Sequence, residues 1–332
     1  MTGTAPNASP SPHVDASGDS APRAVHRPAP LWAVPAAVVC GMMGAIQSRI
    51  NSDLASELDD GFAAALISFG TGLVILLLLL AVMPWLRRTT GRFWRELRSG
   101  AFPWYLAIGG LGGAVYVLGQ SFSVALLGVA LFIVCVVAGQ TVTGLIVDRV
   151  GLGPGGIRHL TPLRVIGASL MVVSVVLAMS GGFSSEAPWF LLALPMVAGV
   201  AMGLQQAING RVTQHSGHFL VATLGNFVVG TAALAVVALV HLLMAGPPEA
   251  LPTNPLLYLG GPIGIVFIAM AAYLAGPLGV LTLAMTTIAG QIVGSVVIDA
   301  VAAPGHLSVT TVAGAALTLL AALITASSRR RG

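Results

Sequence analysis

Lysine does not occur in this chain of 332 residues, and charge of either sign is scarce, at 8% of the sequence. A soluble domain carries about a quarter charged residues. Most of the molecule therefore cannot face water, and a bilayer is the implied solvent. Cysteine is limited to Cys40 and Cys135, both inside apolar runs. That excludes a disulfide framework, a CxxC pair and a zinc spacing, and leaves two small hydrophobes. No Asp or Glu stands in the middle of an apolar run, so the intramembrane carboxylate that marks many proton relays is not evident. HExxH, GxSxG and phosphate-loop patterns are missing as well. A non-enzyme is expected, with no cofactor and no metal site. The net charge of +4 comes wholly from arginine; in a chain this apolar it reports topology, and nucleic acid is excluded as a partner.

What is abundant is apolar sequence, at 56% of residues. A spanning helix needs about 20 such residues to cross about 30 Å of hydrocarbon. Ten runs qualify: 31–50, 62–84, 103–124, 126–148, 162–181, 189–209, 218–244, 255–275, 277–300 and 307–327. Between the third and fourth, "SVALLGVALF" leaves almost no loop. Between the eighth and ninth, Gly276, Pro277 and Gly279 predict a tight turn. Residues 1–30, rich in Pro, Ser and Ala, read as a disordered cytoplasmic tail. Residues 328–332 form a basic cytoplasmic end. With the N-terminus inside, fourteen of the fifteen arginines fall on the cytoplasmic side and only Arg49 does not. The acidic stretch Asp53, Glu57, Asp59 and Asp60 then lies outside, as a solvated loop or, alternatively, an ion site.

The sequence also repeats. "GQTVTGLIVD" (139–148) returns as "GQIVGSVVID" (290–299). A shift of 158 residues matches Gln47 with Gln205, Asn51 with Asn209, and "SFGTG" (68–72) with "NFVVG" (226–230); a shift of 151 matches Gly109, Gly110 and Gly113 with Gly260, Gly261 and Gly264. The units are 31–181 and 189–327, five helices each. An odd number of crossings inverts the second unit, and inverted repeats are a hallmark of secondary transporters. A scaffold and a channel are the alternatives.

The pattern Gly41, Gln47, Asn51, followed by Ser68–Gly72, "PWYLAIGGLGGAVYV", "VAGQTVTGLIVDRVGL" and "PLRVIGASL", resembles the YdcZ-like branch of the drug/metabolite transporter superfamily. The resemblance covers about residues 31–327. It implies an all-α integral membrane fold of ten transmembrane helices in two inverted five-helix repeats, fused in tandem, around a central cavity. It also implies a bacterial cytoplasmic (inner) membrane, with the fifth helix of each unit peripheral.

Uncharged polar residues inside the runs are the site candidates. Gln47 and Asn51 share a helix face, as do Gln205 and Asn209. Gln140 pairs with Gln291 and Ser68 with Asn226; Tyr116 and Gln120 add hydrogen-bonding capacity, with Tyr273 and Gln206 as further donors and acceptors. Each is either cavity lining or interhelical glue. Asn51 and Asn209 have a third reading as helix caps, being near the ends of their runs. Gln140 and Gln291 are expected to approach one central axis. Asp148 and Asp299, at helix ends, suggest end or interface contacts. The expected function is transport of a small organic solute, polar-neutral or amphiphilic, by alternating access. The expected partners are that solute and the lipid bilayer, with a homodimer left open.

Overall fold

A bilayer offers no water to backbone N–H and C=O groups, so long apolar runs must satisfy them internally as helices. The structure, a computed structural model, describes residues 32–153, 156–157, 161–180, 189–303, 305 and 307–327, and all regular elements among them are helical. The N-terminal tail, the basic C-terminus and Arg158 lie outside the described residues. The helices are α1 (Ala33–Leu58), α2 (Gly61–Val82), α3 (Pro84–Arg98), α4 (Gly110–Val150), α5 (Pro162–Met179), α6 (Trp189–Ser216), α7 (Phe219–Ala245), α8 (Gly260–Ala302) and α9 (Val309–Ser327). Short 3-10 turns, 104–106 and 255–258, precede α4 and α8.

α4 has 41 residues, which as a straight rod would measure about 60 Å, twice the hydrocarbon thickness. It breaks at Gly128, whose φ of 77° and ψ of 163° suit only glycine. Residues 110–127 and 129–150 are thus two antiparallel spans with one residue between them. α8 doubles back likewise. Its start lies beside the later part of α1, since a methyl on Gly260 would meet Asn51 and one on Gly264 would meet Gln47. Further on, Gly290 meets Val38 and Gly294 meets Met42. The chain therefore runs down α1 and returns up it, reversing between residues 264 and 290, the stretch in which the turn at Gly276–Gly279 is expected. Leaving aside the arginine-rich α3 and counting α4 and α8 twice, the described residues form ten apolar helical segments.

Three expectations need correction. α1 runs to Leu58, so Asp53 and Glu57 stand on its last turns, where Arg49 Nε donates to Asp53 at 2.9 Å. Asp60 is no loop residue in water; it caps α2, accepting from Phe62 N and Ala63 N. Asn51 and Asn209 are mid-helix and are not caps, because both helices extend several residues beyond the apolar runs. Residues 84–98, between the second and third apolar runs, form α3. Leu86, Thr90 and Phe93 are its buried face, packed with Phe102, Leu106, Val212 and Val221.

Packing crosses between the repeats. α1 lies along both spans of α8, α6 along both spans of α4, α2 faces α7, and α5 pairs with α9. Glycine sets these distances. A Cβ on Gly41 would sit 2.1 Å from Thr287 O, and its counterpart on Gly199 would sit 2.3 Å from Val136 O. The two contacts are related by the same shifts, 158 and 151, that align the sequence. Backbones this close leave no room for a side chain, which is how small residues bind membrane helices together.

The bundle has two faces. The α3 face holds the ends of α4 and α6, where Arg211 donates to Gly151 O and Leu152 O and His215 meets Glu96. The opposite face holds the α1–α2 turn, where Asp60 meets His241 and Glu249 N donates to Leu58 O.

Candidate functional site

A cavity of about 330 Å³ opens on the α3 face, between α2, α3, the 3-10 turn before α4, the end of α6 and the start of α7. Its walls are mostly apolar, among them Leu77, Leu80, Phe93, Trp94 and Val229. Four polar side chains break that surface: Arg87, Thr90, Asn209 and Asn226. Asn226 is 4% exposed and its Nδ2 has no partner; Thr90 is 6% exposed and its Oγ1 has none. Asn226 and Asn209 converge over Gly109, where a Cβ would lie 3.1 Å from one Oδ1 and 3.3 Å from the other. Buried amides and hydroxyls without partners are costly; Asn51 Oδ1 and Ser68 Oγ are in the same condition, so what distinguishes Asn226 and Thr90 is the cavity beside them.

The equivalent positions on the opposite face, Asn51 and Ser68, are sealed. Asn51 is fully buried and donates to Gln120 Oε1 at 2.6 Å; Gln120 in turn donates to Ser48 Oγ at 2.9 Å. The Tyr116 hydroxyl joins Ser48 and Gln120. Above them an apolar plug of Leu54, Leu58, Ala64 and Leu257 closes the face. One polar pair is thus open and its repeat partner is shut.

Of the ten candidates, Asn209 and Asn226 line the cavity. Gln47 serves as interhelical glue, donating to Gly260 O at 2.9 Å. Gln205 is buried beside Gly113 with its Oε1 unpartnered. Gln291 packs on Gly44 of α1, and the Gln140 backbone stands against Gly203 of α6, so these two belong to opposite seams and neither lines the cavity. Tyr273 and Gln206 point outward; Tyr273 is 71% exposed and stacks on Trp32. The sequence reading missed Arg87, Thr90 and Trp94. Their signal was legible: apolar residues at helical spacing among the arginines of 84–98, an amphipathic period too short to count as a span.

The two helix-end carboxylates do make end contacts. Asp299, 1% exposed, accepts from Val129 N at 2.9 Å and Ala130 N at 2.7 Å, capping the second span of α4 from across the bundle. Asp148 pairs with Arg164.

Comparison with known proteins adds a frame. A family model, DMT_YdcZ, described as "Putative inner membrane exporter, YdcZ", matches residues 32–177 and again 190–324. A solved structure titled only "Crystal structure of protein" is similar at a TM-score of 0.51 and 17% identity, over 90% of this chain and 97% of the other. At that identity the likeness concerns the fold alone. No curated protein matches the sequence.

Proposed function

This chain belongs to the YdcZ family of the drug/metabolite transporter superfamily, and on that premise we propose that it is a secondary transporter moving a small organic solute across the cytoplasmic membrane by alternating access. The family description favours export. One observation supports the mechanism above the rest. Asn209 and Asn226 line an open cavity, while their repeat equivalents Asn51 and Ser68 are buried beneath a plug. In an inverted repeat the two halves can exchange conformations, which would shut the first pair and open the second. The arginine bias supports a cytoplasmic α3 face, which would make this conformation inward-open.

The chemistry asked of the protein is modest. Asn209, Asn226 and Thr90 would hold the solute's polar end, and the apolar walls would hold its body. Among the described residues no carboxylate or imidazole lines the cavity, which favours facilitated movement or exchange over proton coupling there.

Single cysteines at positions 226 and 68, in a background without Cys40 and Cys135, test the idea with an impermeant maleimide in oriented vesicles. Position 226 is expected to react from the α3 face and position 68 from the opposite face, with modification of either suppressing the other. Simultaneous labelling of both would indicate a channel. A silent position 68, with no flux of any solute in a metabolite panel, would indicate a scaffold.

A further inference from the structure

We infer that the solute is an amphipathic organic anion, an apolar body bearing a carboxylate or similar acidic group that docks on Arg87 with Thr90 and Asn226; this rests on reading the cavity as the transport site. The volume, about 330 Å³, lies at the lower end of small-molecule sites, and the walls are apolar as such sites are. The polar groups are weighted toward donors. Arg87 supplies a guanidinium, which cannot accept. Asn226 Nδ2 is buried without a partner, and the buried Thr90 hydroxyl is free to donate. Among the described residues no Asp or Glu lines the cavity, so a cationic solute would meet positive charge with no counter-charge, and a neutral solute would leave the exposed Arg87 guanidinium to water.

Arginine near a membrane face is ordinarily a topology marker. Arg87 differs from its neighbours on α3. Arg92 reaches Glu96 and Arg95 Nε donates to Gly91 O; Arg87, like Arg88 and Arg98, makes no ion pair among the described residues, and it is set apart by lining the cavity. Of the arginines on α3, only Arg87 does so. A guanidinium forks onto carboxylate oxygens in a two-bond geometry that lysine and water do not match.

The opposite face has the reverse electrostatics. The position that the 158-residue shift pairs with Arg87 is Ala245. That face carries Asp53, Glu57, Asp59, Asp60 and Glu249 against one arginine, Arg49, which pairs with Asp53, and His241, which meets Asp60. An anion is therefore captured on the α3 face and repelled once the other face opens, which gives binding and release to opposite sides without a separate device.

Naphthoate, naphthamide and naphthylmethylammonium share one ring system and differ in charge. Equilibrium binding of each to the full chain in phosphatidylcholine nanodiscs, compared with R87Q and R88Q, tests the assignment. Naphthoate is expected to bind best, to weaken about tenfold or more in R87Q, and to be unchanged in R88Q. Equal losses in both variants would reduce the effect to surface charge and overturn the site. Preference for the amide or the ammonium would overturn the charge class. If added phosphatidylglycerol displaces naphthoate from the wild type, the anion held is a lipid headgroup and the solute assignment fails. Retained naphthoate binding without flux in vesicles would sink the transport reading instead and leave the charge assignment standing.

Discussion

At residue 226 the second repeat carries an amide where the first, at residue 68, carries a hydroxyl, and both backbones press on a glycine. A Cβ on Gly110 would lie 2.3 Å from Asn226 O, and one on Gly261 would lie 2.1 Å from Ser68 O. Such contacts make glycine identity a packing matter that substitution can read. Gly41→Ala would put a methyl 2.1 Å from Thr287 O, against backbone that cannot swing away. It should lower stability in detergent by about 1–3 kcal/mol, and Gly199→Ala should do the same at the equivalent seam. Gly144→Ala meets open space and should be neutral or stabilising by about 0.5–1 kcal/mol. Thermal melts of the three variants decide it. His218 offers a pH test outside the membrane. Its Nδ1 accepts from Leu220 N at the start of α7, and burial holds the imidazole below its usual range. A base with a depressed folded value contributes stability above its unfolded value of about 6.5 and loses it as pH falls through the folded value. Melting temperature should therefore drop on acidification, and His218→Asn, which keeps an acceptor at the cap, should flatten that drop. An unchanged pH slope in the variant would remove His218 as its cause. At this scale the sequence revealed which amides recur. It could not say which copy is open, because identical residues in inverted repeats sit in opposite halves of a conformational cycle.

The elements divide the same way. The apolar runs were readable because hydrocarbon thickness sets their length. α3 was not found by a search for spans, since its apolar residues form one stripe among arginines, yet it supplies Arg87, Thr90 and Trp94 to the cavity. The α4 break was foreshadowed by a missing loop, but its stabiliser was not. Gly128 leaves the N-terminus of the second span with unpaired N–H groups, and these are satisfied by Asp299, over 160 residues away. No local pattern encodes that pairing. A carboxylate at a helix start makes charge-assisted bonds, so Asp299 ties α8 to the second span of α4 at the opposite face; under the proposed mechanism that tie would keep the face closed. Asp299→Asn keeps shape but surrenders the charge and one acceptor. Maleimide labelling of a cysteine at position 68 should then accelerate about tenfold, the shift expected from losing one charge-assisted bond. Unchanged labelling would make the carboxylate a structural cap with no bearing on opening.

For the whole molecule, the units of sequence and the units of tight packing differ. The family match falls on two consecutive segments, but the tight glycine seams join α1 to α8 and α6 to α4, each taking one helix from one segment and a hairpin of spans from the other. Backbones packed at that distance move together. What crosses between these two bodies on the opposite face is sparser: Asn51 with Gln120, Gln120 with Ser48, and Asp299 with Val129 and Ala130. Polar bonds of this kind within membranes are worth about 0.6 kcal/mol on average and at most 1–2 kcal/mol, small enough to break and re-form in a transport cycle. Two cross-links separate seam from latch. Met42→Cys with Gly294→Cys bridges a seam, where a Cβ on Gly294 would stand 3.3 Å from that of Met42, near the span of a disulfide. It should leave flux within about twofold of the reduced protein, since it joins parts that already move as one body. Asn51→Cys with Gln120→Cys, joined by a short bifunctional thiol reagent, ties the two bodies together across the closed face. It should abolish flux while leaving naphthoate binding at the α3 face intact. If instead the seam cross-link stops flux and the latch cross-link does not, α1 moves against α8, and the bodies follow the sequence repeats after all.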